Sequence, residues 1–351
     1  LFKEKRKLAS LKKNIWILPF ILGLVSCNPI SQNKQLSLSF YHWKAKFQPS
    51  SIEMAYLKEL EVRKLYLRYF DVDLEEGKAV PISRIQFPTI PLQNRILVPV
   101  VFITNRCMRS ISEEGAASLA EKIWLLIREL HPGERAPEEV QLDCDWSDSS
   151  RATYFALLRA MKRKVSRVSC TIRLHQIKHR ERTGVPPVEK GVLMFYNMGD
   201  VQDIATANSI LSLETARPYL ERLSSYPLSL DLALPLFSWG VLFRDGQMIK
   251  LINQLERKEL QNDSLASSLD GHYYRINRKS VLRGHFLYEG DTIRLENSPP
   301  EVLKRSMNLL SSQAQNKFSE LIFYHLDSSL LKPYSYEFLR GLGQTGGSTA
   351  H

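Results

Sequence analysis

The chain has 351 residues, 44% of them hydrophobic, and a formal net charge of +11. That apolar share is enough for a full core and argues against a disordered chain. About half of the excess charge lies in the first 14 residues, and no later basic block is interleaved with aromatics, so nucleic acid is not expected as a partner.

Residues 1–14 carry Lys3, Lys5, Arg6, Lys7, Lys12 and Lys13 against one acid, Glu4; residues 15–26 have no charge, and Cys27 follows at once. A basic stretch, a short apolar stretch and a small residue before the cut is the layout of a secretory signal. Twelve uncharged residues are also short for a membrane span, which needs about 20. Leu24-Val25-Ser26-Cys27 resembles the bacterial lipobox. The resemblance implies removal of residues 1–26, lipid on Cys27 and a linker over 27–35; an uncleaved signal anchor is the alternative. Removing the six basic residues and one acid leaves +6 on the mature chain, a charge compatible with anionic glycans or an anionic membrane surface. Residues 28–35 hold no acidic cluster of the kind that resembles a surface-export tag, so the expected position is the cell envelope, facing the periplasm.

Beyond the linker, eight short runs rich in β-branched and aromatic residues recur at 36–44, 64–72, 97–104, 139–146, 167–175, 191–197, 228–236 and 319–326. Helix-like segments separate most of them. Strands alternating with helices indicate βα units and a parallel sheet, and eight of them predict an α/β fold of the closed (β/α)8 TIM-barrel type over 36–340. A doubly wound open sheet is the alternative. No Gly-rich phosphate loop opens any helix, which counts against its nucleotide-binding versions. A helix is predicted over 112–130, started by Ser112 with Glu113 and Glu114 and stopped by Pro132 and Gly133, and another over 150–163. The 177–190 connection, with Gly184, Pro186 and Pro187, is expected to hold little more than a turn of helix. An insertion at about 240–300 separates strands seven and eight. Its stretch 272–295 reads as a small β-rich excursion or a lid, and a helix follows at 300–313. Residues 341–351 read as a disordered tail. Cys107, Cys144 and Cys170 form no CxxC pair and read as small buried hydrophobes.

Barrel enzymes place their sites at the C-terminal ends of the strands. The candidate ligand-binding residues are therefore His42 and Trp43 after strand one, Arg68 on strand two, Gln141 and Trp146 on strand four, Arg173 and His175 on strand five, Tyr196 and Asn197 on strand six, Trp239 after strand seven and His325 on strand eight. Strand four is the most informative. Period-two alternation puts Gln141, Asp143 and Asp145 on one face. Two inward carboxylates are costly unless paired or used, and Arg68 and Arg173 are the expected partners; an ion-pair network that merely holds the barrel is the blander alternative. Trp43, Trp146 and Trp239 are candidate platforms for sugar rings, and Asp143, Asp145, His42 and His175 could instead hold a divalent ion. No His-x-x-x-His spacing supports that, so no metal and no cofactor is expected. His131, His179, His272 and His285 are expected to be solvated.

Asp143-Cys144-Asp145-Trp146 and Met194-Phe195-Tyr196-Asn197 resemble the chitinase-like (family 18) glycoside hydrolases, whose fourth strand reads Asp-x-x-Asp-x-Asp-x-Glu and whose sixth carries Met-x-Tyr-Asp. The resemblance implies a TIM barrel and a carbohydrate ligand. The family's acid falls on Ser147, its first Asp on Val140 and its strand-six Asp on Asn197. Residues 139–146 and Leu-Pro-Leu-Phe-Ser-Trp at 234–239 also resemble a group of bacterial TIM-barrel lipoproteins with a Gln-x-Asp-x-Asp strand, which implies fold but no particular activity. Two functions follow as expectations. In the first the chain is a glycoside hydrolase in which Asp145 is the proton donor, with Asp143 raising its pKa as a like charge, and Arg173, His175, Tyr196 and Asn197 hold sugar hydroxyls. In the second it is a non-catalytic glycan-binding or scaffold lipoprotein on a degenerate barrel.

If Cys27 is the lipid site, Cys27→Ser will abolish incorporation of labelled palmitate in a bacterial host. Label retained on the Ser variant would rule the site out.

Overall fold

The computed structural model describes residues 35–87, 95–133, 135–314 and 317–344. The predicted signal, Cys27 and most of its linker lie outside the described residues. Residues 33–351 make up a compact unit of their own.

Eight parallel strands close into a barrel: β1 (Ser37–His42), β2 (Lys64–Glu75), β3 (Ile96–Ile103), β4 (Glu139–Asp143), β5 (Arg167–Arg173), β6 (Lys190–Met194), β7 (Ser229–Pro235) and β8 (Phe318–Tyr324). Closure is complete because β1 pairs with β2 on one side and β8 on the other. Each lies within one of the eight apolar runs or overlaps it almost entirely. The reason is compositional: Val, Ile, Leu, Phe and Tyr fit a pleated surface buried on both faces.

Helices pack outside. α1 (Ser51–Glu59) starts with a capping box in which the Glu53 N–H donates to Ser50 Oγ and the Ser50 N–H to Glu53 Oε2. α2 (Glu113–Leu130) starts after Ser112, whose Oγ accepts from the Gly115 N–H. α3 (Arg151–Met161) and α4 (Pro300–Gln313) follow β4 and the insertion. Between β5 and β6 only the short helices Leu174–Lys178 and Arg180–Thr183 form, as the weak pattern there suggested. Residues 341–344, expected in a disordered tail, instead finish the last helix and its cap, and Gly343 O accepts from the Leu36 N–H. Residues 345–351 lie outside the described residues.

The insertion is β-rich. Trp239–Arg244, Gln247–Asn253, Ala266–Ser268, Tyr273–Ile276 and Thr292–Glu296 form a five-stranded antiparallel sheet, and Ser280–Leu282 pairs with His285–Leu287 as a separate hairpin. Leu242, Ile252, Leu260, Tyr274, Ile276 and Ile293 give it its own core.

The barrel interior is unusually polar. At the N-terminal end, Lys64 Nζ lies 2.8 Å from Glu320 and 3.8 Å from Glu139, and Lys190 bonds Asp231 and lies 3.6 Å from Glu320. Ser169 Oγ donates to Glu139, Ser319 Oγ to Asp231, and Tyr66 Oη to Glu320. One layer up, Tyr41 Oη donates to Gln141 Oε1 at 2.6 Å. The three buried cysteines are free thiols packed as small apolar groups.

Three carboxylates share two lysines here. Burial raises the Asp231 pKa against the pull of Lys190, whereas at Glu320 burial is outweighed by Lys64, Ser39 and Lys190 together and the pKa is lowered. Lys190→Met strands the buried Asp231, so at pH 7 the variant should lose about 3 kcal/mol, as a broken buried pair does. Its Asp231 pKa lies above the unfolded value. The deficit is therefore largest above the folded pKa and should shrink as pH falls, vanishing only below about 3, under the unfolded value of about 3.9, where both states are protonated. Urea unfolding at the two pH values measures this.

Candidate functional site

The strands deliver their last inward residues to a cleft of about 450 Å³ at the C-terminal mouth. Trp43, Lys44, Phe102, Asp143, Arg173, Met194, Tyr196, Asn197, Tyr324 and His325 line it from the barrel. The insertion adds Phe237, Ser238, Trp239, Asn253 and Gln254.

One side is a continuous aromatic wall. Ring centroids lie 5.5 Å apart for Trp43 and Tyr324, 5.3 Å for Tyr196 and Tyr324, 5.7 Å for Phe237 and Tyr324, and 5.1 Å for Phe237 and Trp239. Trp239 is held from behind, its Nε1–H donating to Glu296 Oε2 at 2.9 Å. Glu296 also accepts from the Ser209 N–H and Oγ and from Arg294 Nε, so the loop after β6 and the insertion sheet are fastened together there.

Asp143 ends β4 and faces the cleft. Thr171 Oγ1 donates to its Oδ1 at 2.6 Å. Burial pushes its pKa up, and neighbouring Arg173 and the Thr171 hydrogen bond pull the other way without prevailing. Arg173 Nη1 is buried with no hydrogen-bond partner among the described residues. His325 is neutral near pH 7, burial pushing its pKa down to about 4 against the pull of Asp327. Asp327 is held well below the usual carboxylate range: burial raises it, but hydrogen bonds from Lys44 and Ser329 prevail. Gln254 Nε2 donates to Asp327 Oδ2 at 2.9 Å. Among the described residues no three His, Cys, Asp or Glu are grouped as a metal site.

Of the residues singled out from sequence, Trp43, Asp143, Arg173, Tyr196, Asn197, Trp239 and His325 line the cleft. Asn197 takes the left-handed backbone conformation (φ 54°), which Asn tolerates better than most residues.

The others are placed differently. Regular pairing in β4 stops at Asp143, so the alternation no longer applies to Asp145. Its side chain is 53% exposed at the rim, 3.9 Å from Arg173 Nε. Trp146 is no platform: it is buried between barrel and helix, stacked on Tyr154 at 5.3 Å with its Nε1–H given to Thr183 O. Gln141 lies deeper, fully buried against Tyr41. His42 faces the opposite side of β1 from Tyr41 and packs edge-on against Phe47. Arg68 binds Asp71 rather than either strand-four carboxylate, and its Nη1 donates to Trp43 O. His175 is exposed on the short helix after β5. His131, expected in solvent, is half-buried and bonded to Tyr69 Oη at 2.7 Å. Ser147 sits outside the cleft, where Asn105 Nδ2 donates to its Oγ at 3.3 Å beside Ser149 and Ser150.

Sequence reasoning missed Lys44, Phe102, Phe237, Asn253, Gln254 and Tyr324. Tyr324 was within reach, because period two from Glu320 along β8 turns it inward; Asn253 and Gln254 depend on how the insertion folds back.

The fold is similar to that of the spore cortex-lytic enzyme SleL of Bacillus cereus (TM-score 0.57, 11% identity, 89% of this chain and 74% of that one). It is also similar to a chitinase from Chromobacterium violaceum (0.54, 9%, 89% and 100%) and to the chitinase-like agglutinin RobpsCRA from Robinia pseudoacacia (0.51, 11%, 87% and 98%). The barrel thus has the fold of the family 18 chitinases, at a distance in sequence. No protein-family model and no curated protein sequence matches the chain.

The raised Asp143 carboxyl has a consequence for stability. A folded-state pKa above the unfolded value means that this group costs stability at pH 7 and is neutral below the unfolded value of about 3.9. Asp143→Asn should therefore match or exceed the parent melting temperature at pH 7, with any gain gone by pH 3.5. Calorimetric melts at the two pH values check this; a lower melting temperature at pH 7 would show that Arg173 dominates instead.

Proposed function

We propose that this chain is a glycan-binding protein of the cell envelope, lipid-anchored at Cys27 on the periplasmic side, whose barrel holds a polysaccharide without cleaving it. The observation that carries this reading is the contrast between an intact aromatic wall and a missing acid. Trp43, Tyr324, Phe237 and Trp239 line the cleft beside Asp143, Arg173 and Asn197, and a concave surface that combines aromatic rings with placed polar groups is the usual form of a ligand site. At the position of the chitinase acid stands Ser147, which cannot supply a proton at neutral pH. In the family 18 mechanism one carboxylic acid protonates the leaving oxygen while the substrate's own amide is the nucleophile, so a single well-placed acid is what hydrolysis needs there. Among the described residues lining the cleft, Asp143 is the only carboxylate. That the protein from Robinia pseudoacacia is named a chitinase-like agglutinin supports a binding role for such a barrel.

Hydrolysis is the second reading, favoured by Asp143 alone. Its raised pKa would let it carry a proton closer to neutral pH.

Titration calorimetry against chitin oligosaccharides and soluble peptidoglycan fragments should show binding to one of them. Trp43→Ala should weaken that binding about tenfold, equivalent to about 1.4 kcal/mol. Asp145→Asn should leave it unchanged. Reducing ends released in step with enzyme concentration and lost in Asp143→Asn would establish the second reading and end the first.

A further inference from the structure

Trp43 stands one residue past the end of β1, beyond the ladder that holds that strand to its neighbours. Its ring nevertheless forms one end of the aromatic wall. A site residue off the regular sheet keeps its place only if neighbouring groups lock it there. β2 supplies the lock.

Period two from Tyr66, whose Oη reaches Glu320 inside the barrel, turns Arg68 inward. Strict alternation would turn Asp71 the other way, since residues three apart on a strand face opposite sides. β2 does not alternate strictly. Arg68 pairs with Val100 and Phe70 with Val101, so Tyr69 is left out of the ladder with β3. Its carbonyl instead accepts from the Ile85 N–H at 2.7 Å. Such a bulge adds one residue to the count and re-aims the side chains around it. Asp71 thereby comes to the side of Arg68. Arg68 Nε donates to Asp71 Oδ1 at 2.6 Å, and Nη2 donates to Oδ2. The two side chains are only 19% and 12% exposed, so this two-pronged pair is largely shielded from water.

The remaining arm of the guanidinium reaches β1. Nη1 donates to Trp43 O at 3.2 Å. The guanidinium carbon lies 5.9 Å from the centre of the Trp43 ring, near the outer limit of a cation–π contact. Arg68 thus meets both the backbone and the ring of Trp43. It is not itself among the described residues that line the cleft.

We infer that Arg68, aimed by the bulge and locked by Asp71, is a positioning residue of the cleft: it fixes Trp43 where the ring can stack on a sugar. What the ring does rests on the glycan-binding reading; what holds the ring does not. The gain is preorganisation, because freedom removed before the ligand arrives is not lost again on binding. Lysine is no substitute. Its single ammonium keeps the charge but has no planar fork to hold a carboxylate and a carbonyl at once.

Arg68→Lys in the full-length chain, kept in detergent, is tested by two measurements. The first needs no ligand. In protein labelled with fluorotryptophan, the Trp43 fluorine NMR resonance is the one absent from Trp43→Phe. Arg68→Lys should shift or broaden it while the melting temperature changes little. The second is titration calorimetry with chitin oligosaccharides and soluble peptidoglycan fragments. Arg68→Lys should weaken binding about fivefold, on the scale of one side chain that must be ordered again. In the Trp43→Ala background it should cost nothing more, because the effect runs through that ring. Asp71→Asn should reproduce both results, and it carries the test if Arg68→Lys does not fold. An unmoved Trp43 resonance would overturn the inference. So would unchanged affinity, or a loss that adds in full to that of Trp43→Ala. A parent that binds none of these glycans would sink the glycan-binding reading instead, and the resonance alone would then decide whether Arg68 holds Trp43.

Discussion

Two lysines standing among three carboxylates close the lower end of the barrel, and the use of the upper end follows from that. Interior residues of a closed sheet have no edge through which to reach water, so every charge there must find its partner inside. Lys64 and Lys190 meet Glu139, Asp231 and Glu320, with Ser169, Ser319 and Tyr66 supplying further hydrogen bonds. Tyr41 and Gln141 fill the layer above. The lower two layers are thus filled by their own polar groups, and among the described residues the barrel opens into a ligand-sized cleft at the mouth.

The mouth is not made by the barrel alone. Arg294 and Glu296, both fully buried, form an ion pair on the last strand of the insertion. Arg294 also donates to the carbonyls of Val201 and Asp203, and Glu296 takes hydrogen bonds from Ser209 and Trp239. One pair therefore binds the loop after β6, the insertion and a cleft-lining tryptophan. A barrel that lacked the insertion would keep Trp43, Tyr196 and Tyr324 but lose the opposite stretch of wall at Phe237 and Trp239. Because this latch is a buried ion pair, its geometry is demanding, and it sets the position of the wall more than it adds net stability.

How much of this could be read in advance follows from what each rule tests. The eight strands were legible because burial on both faces demands apolar runs, and each run is long enough to stand out. The α2 start was legible from Ser112 because a helix needs a side-chain acceptor for its first free N–H groups. The site was legible where a strand continued inward to its end, as at Asp143 and Arg173. It was not where regular pairing stopped earlier than the apolar run. β4 ends at Asp143, so Asp145 swings to the rim and Trp146 drops between barrel and helix. Gln141 failed for a different reason: facing inward does not give height along the barrel, and it lies a layer below the cleft. Asn253 and Gln254 reach the cleft only through the tertiary fold of the insertion, which no local pattern reports.

On the binding reading proposed for this chain, the mouth would hold a sugar more readily than break one. A proton donor must carry its proton and present it to the leaving oxygen. Asp143 has burial in favour of the first, but Arg173 and Thr171 oppose it, since both act on the ionised carboxyl. Its Oδ1 is already engaged by Thr171 at 2.6 Å. Asp145 is exposed and off the cleft, 3.9 Å from Arg173 Nε. Asp143 is the only carboxylate among the described lining residues, and Ser147 is taken up in hydrogen bonds with Asn105 and Ser150. Binding makes fewer demands: ring faces, a few polar groups and a rigid wall. Trp43, Tyr324, Phe237 and Trp239 supply the faces, Asp143, Arg173 and Asn197 the polar groups, and the Arg294–Glu296 latch the rigidity. All of these depend on the closed sheet and the insertion and not on the residue at position 147.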